Sequence, residues 1–276
     1  MRVSAIDLGI LAKELRKTIL TMVSEAKSGH PGGSLSALDI ILELYKNEML
    51  HDPKRPRWDE RDRFVLSKGH GVPALYAVLA ECGYFPKSEL LTLRKMGSPL
   101  QGHPANRLMS CIEASTGSLG QGLSVALGMA MAARIGAGDK PKFNVYAVLG
   151  DGEVEEGQVW EAAMCASHYG VGNLIAFIDR NNGQIDGLVD EVMTIEPLKD
   201  KWESFGWHTL VIDGHDFDAI HRACKEAKAQ KDKPSMVIAK TIKGKGISFL
   251  EADTVSWHGK ALSSEQLQQA IAELSI

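Results

Sequence analysis

An aspartate between two glycines and a later pair of asparagines are the residues of this sequence best suited to bind a metal ion. Gly150, Asp151 and Gly152 follow an apolar run, and Asn181 stands thirty residues after Asp151. A carboxylate, a carboxamide and a backbone carbonyl such as that of Gly183 are hard oxygen ligands, which suit Mg²⁺ or Ca²⁺ and leave positions for phosphate oxygens. The pattern therefore predicts a metal site that leaves room for phosphate oxygens, although tight turns at both places fit the same residues.

Histidines provide a second set of chemically useful side chains. Among the nine histidines, His30, His70, His103 and His258 are next to glycine and fall in predicted loops. Glycine neighbours allow a ligand to approach closely, and imidazole can hydrogen-bond phosphate or carry a proton near neutral pH. Each alone is compatible with an ordinary loop histidine, whereas four together suit a site that binds phosphate and moves protons. The other five are interpreted as structural or surface residues.

The segments around Asp151 and Asn181 form a strand-helix-strand pattern. Residues 143–149 and 173–179 have the length and β-branched content of buried strands, and residues 157–169 carry apolar side chains at helical spacing. A βαβ crossover makes its two strands parallel, so Asp151 and Asn181 are predicted to lie on the same edge of the sheet. Open parallel sheets bind ligands at that edge.

The remaining apolar patterns extend this unit to an α/β fold with a mainly parallel central sheet and helices on both faces. SGHPGG, at residues 28–33, is predicted to be an irregular loop because it contains proline and three glycines. No repeat or flexible linker divides the sequence, so residues 1–276 are predicted to form a single domain. Further strands are predicted at 63–67, 208–212 and 235–240, and helices at 5–26, 35–50, 72–82, 87–96, 123–135, 216–231 and 263–274.

Composition excludes several classes of protein. The 276 residues are 44% hydrophobic and 24% charged with a net charge of −4, which argues against disordered and membrane proteins. The sequence has no dense Lys/Arg block, which argues against a nucleic-acid partner. A metal ion would have to supply most of the positive charge that a bound phosphate group needs. The N-terminal charges are too frequent for a signal peptide. The scattered cysteines at 82, 111, 165 and 224 indicate reduced thiols in a cytoplasmic protein.

Several segments, in order along the chain, resemble the N-terminal, diphosphate-binding part of transketolase. GDG followed by Asn-Asn is similar to the thiamine-diphosphate motif, and SGHPGG, SKGHGVPALY, QGHPA, TGSLGQG and SWHGK resemble other segments of that family. The resemblance implies that Asp151, Asn181 and the carbonyl of Gly183 bind Mg²⁺, for which Ca²⁺ can substitute. It also implies that thiamine diphosphate is the cofactor. The implied cofactor-binding residues are His70, Gly117, Leu119, Gly150, Asp151, Gly152, Asn181, Ile185, Lys243 and His258.

The resemblance also implies catalytic roles for three histidines. His30 would lie beside the diphosphate and the substrate, His103 would face the C1 hydroxyl of the donor, and His258 would contact the diphosphate. All three would carry protons or donate hydrogen bonds to hydroxyls and developing charge. Glu156 and Glu161 match glutamates that form a buried network at the dimer interface of the family, although exposed helix carboxylates fit Glu161 equally well.

Cofactor contacts of several kinds follow from the same resemblance. His70 would contact the diphosphate, and the backbone at Gly117 and Leu119 would touch the aminopyrimidine ring. Ile185 would pack on the thiazolium ring, and Lys243 would lie near the entrance to the cofactor site. The segment between Lys243 and His258 is one residue longer than in some relatives, which makes the position of Lys243 the least certain to correspond.

Transketolases transfer a two-carbon ketol group from a ketose to an aldose, and full-length members continue into a pyrimidine-binding domain. That domain supplies the glutamate that protonates the aminopyrimidine, and no second unit of this kind follows here. We therefore expect the N-terminal subunit of a split transketolase of the pentose phosphate pathway. It would act on sugar phosphates with a C-terminal subunit, in a two-plus-two heterotetramer.

Two alternatives are compatible with parts of the pattern. One is a subunit of another thiamine-diphosphate enzyme, similar to deoxyxylulose-phosphate synthase or a 2-oxo-acid dehydrogenase, but SGHPGG, GHPA and SWHGK together argue against it. The other is a non-catalytic, Mg²⁺-dependent diphosphate-binding protein. The four loop histidines argue against that function because simple binding does not need proton carriers.

Overall fold

A parallel sheet of five strands lies at the centre of the structure, a computed structural model that describes residues 2–137 and 141–275. Its strands are β1 (Arg63–Leu66), β2 (Val145–Gly150), β3 (Leu174–Arg180), β4 (His208–Asp213) and β5 (Ser235–Lys240). They are ordered β1-β2-β3-β5-β4, and each neighbouring pair is parallel. The carboxyl ends of all these strands therefore lie on one edge of the sheet.

Helices connect the strands and cover the sheet. They are α1 (Ala5–Glu25), α2 (Pro31–Glu43), α3 (Val72–Glu81), α4 (Gln121–Ala132), α5 (Gly157–His168), α6 (Val189–Val192), α7 (Leu198–Ser204), α8 (Phe217–Ala229), α9 (Ser248–Glu251) and α10 (Ser264–Glu273). The end of α2 continues through a π-helical turn at Leu44–Glu48. Within the described residues, the helices all fall short of the length and apolar character needed to cross a membrane.

Two hydrophobic cores lie on opposite faces of the sheet. Along β2, Tyr146 and Val148 pack into one core, while Ala147 and Leu149 pack into the other. This alternation follows from the two-residue period of a strand, and it explains why a strand buried on both faces reads as a continuous apolar run. The first core is shared with α1, α2, α3, α8 and α10, and the second with α4, α5 and α7. The predicted α/β fold class is confirmed.

Two predicted elements are wrong in detail. Residues 28–33 are only partly a loop, because α2 already begins at Pro31, whose fixed φ suits the first helical position. The glycines that follow allow close packing, since a Cβ on Gly32 would lie 2.8 Å from the carbonyl oxygen of Trp257. The helix predicted at 87–96 is a 3₁₀ helix at Lys87–Thr92, and the chain then turns through Arg94 at a φ of 59°. Three short helices, α6, α7 and α9, were not predicted.

Candidate functional site

A cavity of about 740 Å³ opens at the carboxyl edge of the sheet. Its lining comes from the loops after β1, β2, β3 and β5, together with the start of α2 and the loop before α4. This is the edge at which open parallel sheets bind ligands. The structure brings every residue predicted for the site to this cavity: His30, His70, His103, Gly117, Leu119, Gly150, Asp151, Gly152, Asn181, Gly183, Ile185, Lys243 and His258.

Asp151 is a buried carboxylate at the end of β2. Its Oδ1 accepts a hydrogen bond from the backbone N–H of Gly152 at 2.9 Å, and its Oδ2 accepts one from the N–H of Asn182 at 2.5 Å. The guanidinium of Arg180 lies 3.4 Å from the same Oδ2. Burial, followed by the nearby charge of Asp179, raises the pKa of Asp151. A bound cation would therefore stabilise the ionised form of this side chain.

Asn181 and Gly183 form the second half of the predicted metal site. The side-chain Oδ1 of Asn181 accepts a hydrogen bond from the N–H of Gly183 at 3.1 Å, which fixes the turn after β3. Together with Asp151 they offer a carboxylate, a carboxamide and a carbonyl to the same cavity. An all-oxygen set of this kind fits Mg²⁺ or Ca²⁺.

Lys243 is a buried ammonium that contacts this set. Its Nζ donates to the carbonyl oxygen of Gly183 at 2.9 Å and lies 2.9 Å from the Nδ1 of His258. Burial, with the Lys68 charge, lowers the pKa of Lys243 to about 8. The close approach of Lys243 also explains why residue 183 is glycine, because a Cβ at this position would lie 2.8 Å from the Cδ of Lys243. A bulkier residue here would displace the lysine chain.

The four histidines form one cluster in the cavity. The ring centroid of His30 lies 5.2 Å from that of His70, 5.5 Å from that of His258 and 6.4 Å from that of His103. Burial, with nearby positive charges, lowers the pKa of His30 to about 4 and that of His258 to about 3. The pKa values of His70 and His103 are lowered by burial too. Near pH 7 all four imidazoles are therefore neutral, and each can both donate and accept a hydrogen bond.

We expect the stability of the protein to fall as the pH drops from about 6.5 to about 4, because His30 must be protonated in the unfolded chain but stays neutral in the folded one. The unfolded state then binds more protons, so the free energy of unfolding decreases with decreasing pH. His30→Gln should make this decline shallower by up to about 1.4 kcal/mol per pH unit. Urea unfolding at several pH values checks it, with the exposed His168→Gln as the matched variant, and identical slopes for wild type and His30→Gln would contradict it.

Sequence reasoning missed a buried ion pair beside the histidines. Lys68, directly after β1, donates to Asp179 on β3 at 2.5 Å, and both side chains are almost fully buried. Ser36 donates to Asp179 at 2.6 Å, and Thr241 donates to its other carboxylate oxygen. Burial opposes ionisation of Asp179, but the Lys68 charge and the hydrogen bonds from Lys68, Ser36 and Thr241 together keep the pKa of Asp179 low. The pair joins the loop after β1 to the carboxyl end of β3, across the intervening strand β2.

Glu153 is a second residue whose importance the sequence did not reveal. Its carboxylate accepts hydrogen bonds from the hydroxyl of Ser67 at 2.5 Å, the N–H of Gly120 at 2.9 Å and the N–H of Gly150 at 3.0 Å. Three segments that line the cavity are thereby held together. In the sequence Glu153 appears only as one of several acidic residues before a helix.

Other predicted residues remain on the surface of the described chain. Ile185 is 67% exposed at the cavity, although the resemblance implies packing against a ring. Glu156 and Glu161 are exposed as well. The predicted burial of Glu156 and Glu161 depends on a second protein and stays a prediction.

The fold and this site define a domain that binds a diphosphate cofactor at the carboxyl edge of a parallel sheet. Residues 10–275 match the family model described as "Transketolase, thiamine diphosphate binding domain", and the chain belongs to this family. The predicted resemblance to the N-terminal part of transketolase is confirmed.

Two curated relatives are similar over almost their entire length. The 6-deoxy-6-sulfo-D-fructose transketolase subunit SqwG of Clostridium sp. (strain MSTE9) is 48% identical over 269 residues, covering 98% of this chain and 96% of the relative. An apulose-4-phosphate transketolase subunit of Phocaeicola vulgatus is 41% identical over 275 residues, covering 100% of this chain and 95% of the relative.

A longer protein gives the structural comparison. A crystal structure of a transketolase mutant from Pichia stipitis superposes with a TM-score of 0.91 at 34% sequence identity, covering 99% of this chain. The chain spans 41% of that protein. The chain corresponds to nearly the whole of the two shorter relatives and to less than half of the longer protein.

Proposed function

We propose that this chain is the N-terminal, thiamine-diphosphate- and Mg²⁺-binding subunit of a two-chain transketolase. The observation that carries the proposal is the cavity that places a neutral four-histidine cluster beside an all-oxygen metal-ligand set. The two relatives that are matched over 96% and 95% of their length are both named as subunits, which supports an enzyme divided between two polypeptides. We further propose that residues 1–276 act as one domain in a cytoplasmic, two-plus-two assembly.

Thiamine diphosphate, when bound, supplies the carbon nucleophile and the electron sink that ketol transfer needs. Asp151, Asn181 and the carbonyl of Gly183 would hold Mg²⁺, which would neutralise the diphosphate. His70 and His258 would donate hydrogen bonds to diphosphate oxygens, as neutral imidazoles can do. The backbone at Gly117 and Leu119 would bind the aminopyrimidine, and Ile185 would pack on the thiazolium.

His30 and His103 are proposed to handle the substrate protons. Their rings lie 6.4 Å apart, centroid to centroid, so a sugar hydroxyl between them could contact both. With pKa values lowered by burial, both are bases at neutral pH that can take a hydroxyl proton and return it. His103 is also tightly placed, because a Cβ on Gly117 would lie 2.6 Å from its ring. The loop glycine therefore lets this imidazole reach into the cavity.

The substrates are proposed to be a ketose phosphate donor and an aldose phosphate acceptor, as in the pentose phosphate pathway. The names of the two subunit relatives specify different substrates, 6-deoxy-6-sulfo-D-fructose and apulose-4-phosphate. Both names include an acidic group, a sulfo group in one and a phosphate in the other. An anionic group on the sugar is therefore common to both names and to the proposed sugar phosphates.

His103→Ala is expected to lower kcat for ketol transfer by about 10²–10⁴-fold while changing cofactor affinity little, because a positioned proton carrier contributes about that much to a rate. His70→Ala should instead weaken retention of thiamine diphosphate. The measurement is transfer from xylulose 5-phosphate to ribose 5-phosphate by the reconstituted two-chain enzyme, combined with a cofactor titration. His208→Ala, on the edge strand β4 and outside the cavity lining, is the matched control. Wild-type kinetic constants for His103→Ala would contradict the assignment.

A further inference from the structure

A second group of titratable side chains lies away from the cavity, where the end of α2 packs against α8. It consists of Glu43, Glu48 and His221. The Nδ1 of His221 lies 2.5 Å from the Oε1 of Glu48 and 3.8 Å from the Oε1 of Glu43. The helix α2 begins at Pro31 beside the cavity, and thirteen residues at about 1.5 Å each place its far end about 20 Å away.

Both carboxylates are held by their other oxygen. The Oε2 of Glu43 accepts a hydrogen bond from Asn47 at 2.9 Å, and the Oε2 of Glu48 accepts one from Lys228 at 2.6 Å. Each Oε1 is thereby turned toward the imidazole of His221. Hydrogen bonds from neighbouring groups commonly orient metal-binding side chains in this way.

The Oε1 of Glu43 is the unusual atom of the group. The side chain of Glu43 is 0% exposed, and this oxygen has no hydrogen-bond donor among the described residues. A buried charged oxygen without such a partner is costly, and structures normally provide one. The guanidinium of Arg2 is 3.6 Å away and is itself 35% exposed, so it compensates the charge without a hydrogen bond.

The π-helical turn explains how the two glutamates reach one point. Residues five apart in a regular α-helix lie about 140° apart around the axis, which would point the two side chains in different directions. The turn Leu44–Glu48 is wider, with the N–H of Met49 bonded to the carbonyl of Leu44 at 2.8 Å. Such π-helical insertions are frequent at functional sites.

We propose that Glu43, Glu48 and His221 form a Zn²⁺ site that ties α2 to α8. Two carboxylate oxygens and one imidazole nitrogen are ligands that zinc accepts at about 2.0–2.2 Å, which separates neighbouring ligand atoms by about 3.3 Å. The two observed separations, 2.5 and 3.8 Å, lie on either side of that value. His221 is 32% exposed, so solvent can enter and fill the remaining position. The site does not depend on the function proposed for the cavity.

Zinc binding is tested by calorimetric titration of the reduced, metal-free chain with Zn²⁺, alongside Co²⁺ as a spectroscopic probe. The cavity histidines also bind zinc in principle, so the titration uses the His103→Ala background as well as the wild type. We expect His221→Ala and Glu43→Gln each to remove one equivalent of bound Zn²⁺ in both backgrounds, and Asn47→Ala to weaken it about tenfold or more. His208→Ala, on β4, is the control and should keep that equivalent.

Arg2→Ala separates a metal site from an ion-pair network. Its guanidinium competes with a cation for the Oε1 of Glu43, so its removal should tighten Zn²⁺ binding and increase the rise in melting temperature that Zn²⁺ produces. A network that binds no metal would show no Zn²⁺-dependent change on removal of Arg2. The proposal is overturned if His221→Ala and Glu43→Gln bind the same number of Zn²⁺ ions as the wild type with unchanged affinity.

Discussion

Asp151→Ala is expected to abolish the Mg²⁺-dependent binding of thiamine diphosphate, with an affinity loss of about 100-fold or more, or about 2.8 kcal/mol. The carboxylate is the only anionic member of the proposed ligand set, and it is buried at the edge where the cavity opens. Without it, the metal would have to be held by two neutral oxygens, and the diphosphate would lose its main counter-charge.

The measurement is a calorimetric titration of the cofactor in Mg²⁺, together with thermal unfolding. At a hundredfold excess over the wild-type dissociation constant the cofactor should stabilise the wild type by about 2.7 kcal/mol and Asp151→Ala by about 0.4 kcal/mol or less. Asp190→Ala is the matched control, because Asp190 also pairs with Arg180, at 2.9 Å, but is not part of the cavity lining. Equal affinities for wild type and Asp151→Ala would eliminate the proposed metal site.

The second large effect is expected from the partner subunit. Assayed alone at saturating thiamine diphosphate and Mg²⁺, the chain should be inactive in ketol transfer, because in the proposed two-chain enzyme the proton-relaying glutamate comes from the partner's pyrimidine-binding domain. A positioned proton carrier by itself contributes about 10²–10⁴-fold to a rate. The exposed side chain of Met193 at the cavity, 60% accessible, is suited to contact that second protein.

Adding a purified pyrimidine-binding subunit should restore turnover and produce a larger particle by light scattering, with two copies of each chain. A partner whose glutamate is replaced by glutamine serves as the control, since it should assemble without restoring the rate. Robust turnover by a preparation free of any second polypeptide would refute the two-chain proposal, even if Asp151 proves to bind the metal.

The strands of the sheet and their order along the chain were predictable, because buried strands leave a strong apolar pattern in the sequence. The strand predicted at 235–240 has the bounds of β5, and those predicted at 143–149 and 173–179 differ from β2 and β3 by one or two residues. The prediction of a helix at residues 87–96 failed. Its apolar residues are locally compatible with a helix, but the backbone leaves the helical conformation and turns at Arg94, which has a φ of 59°. The turn at Arg94 depends on tertiary packing, which the local spacing of apolar residues does not encode.

Site residues that stand in recognisable sequence motifs were predictable. Residues whose role comes from contacts with distant parts of the chain were not. Asp151 and the four histidines stand next to glycines in recognisable segments. Lys68 and Asp179 lie 111 residues apart, and nothing local indicates that they form a buried ion pair. The same is true of Glu153, whose three hydrogen bonds come from segments that are distant in sequence or hidden in the backbone.

The proximity of His30 and His258 in the cavity has a consequence for folding during synthesis on the ribosome. Their ring centroids are 5.5 Å apart, yet the ribosome adds the second about 10 to 50 s after the first, at roughly 5–20 residues per second. Until then the cavity lacks one of its four clustered histidines. Ribosome-bound chains halted before residue 258 should therefore bind thiamine diphosphate more weakly than the released chain.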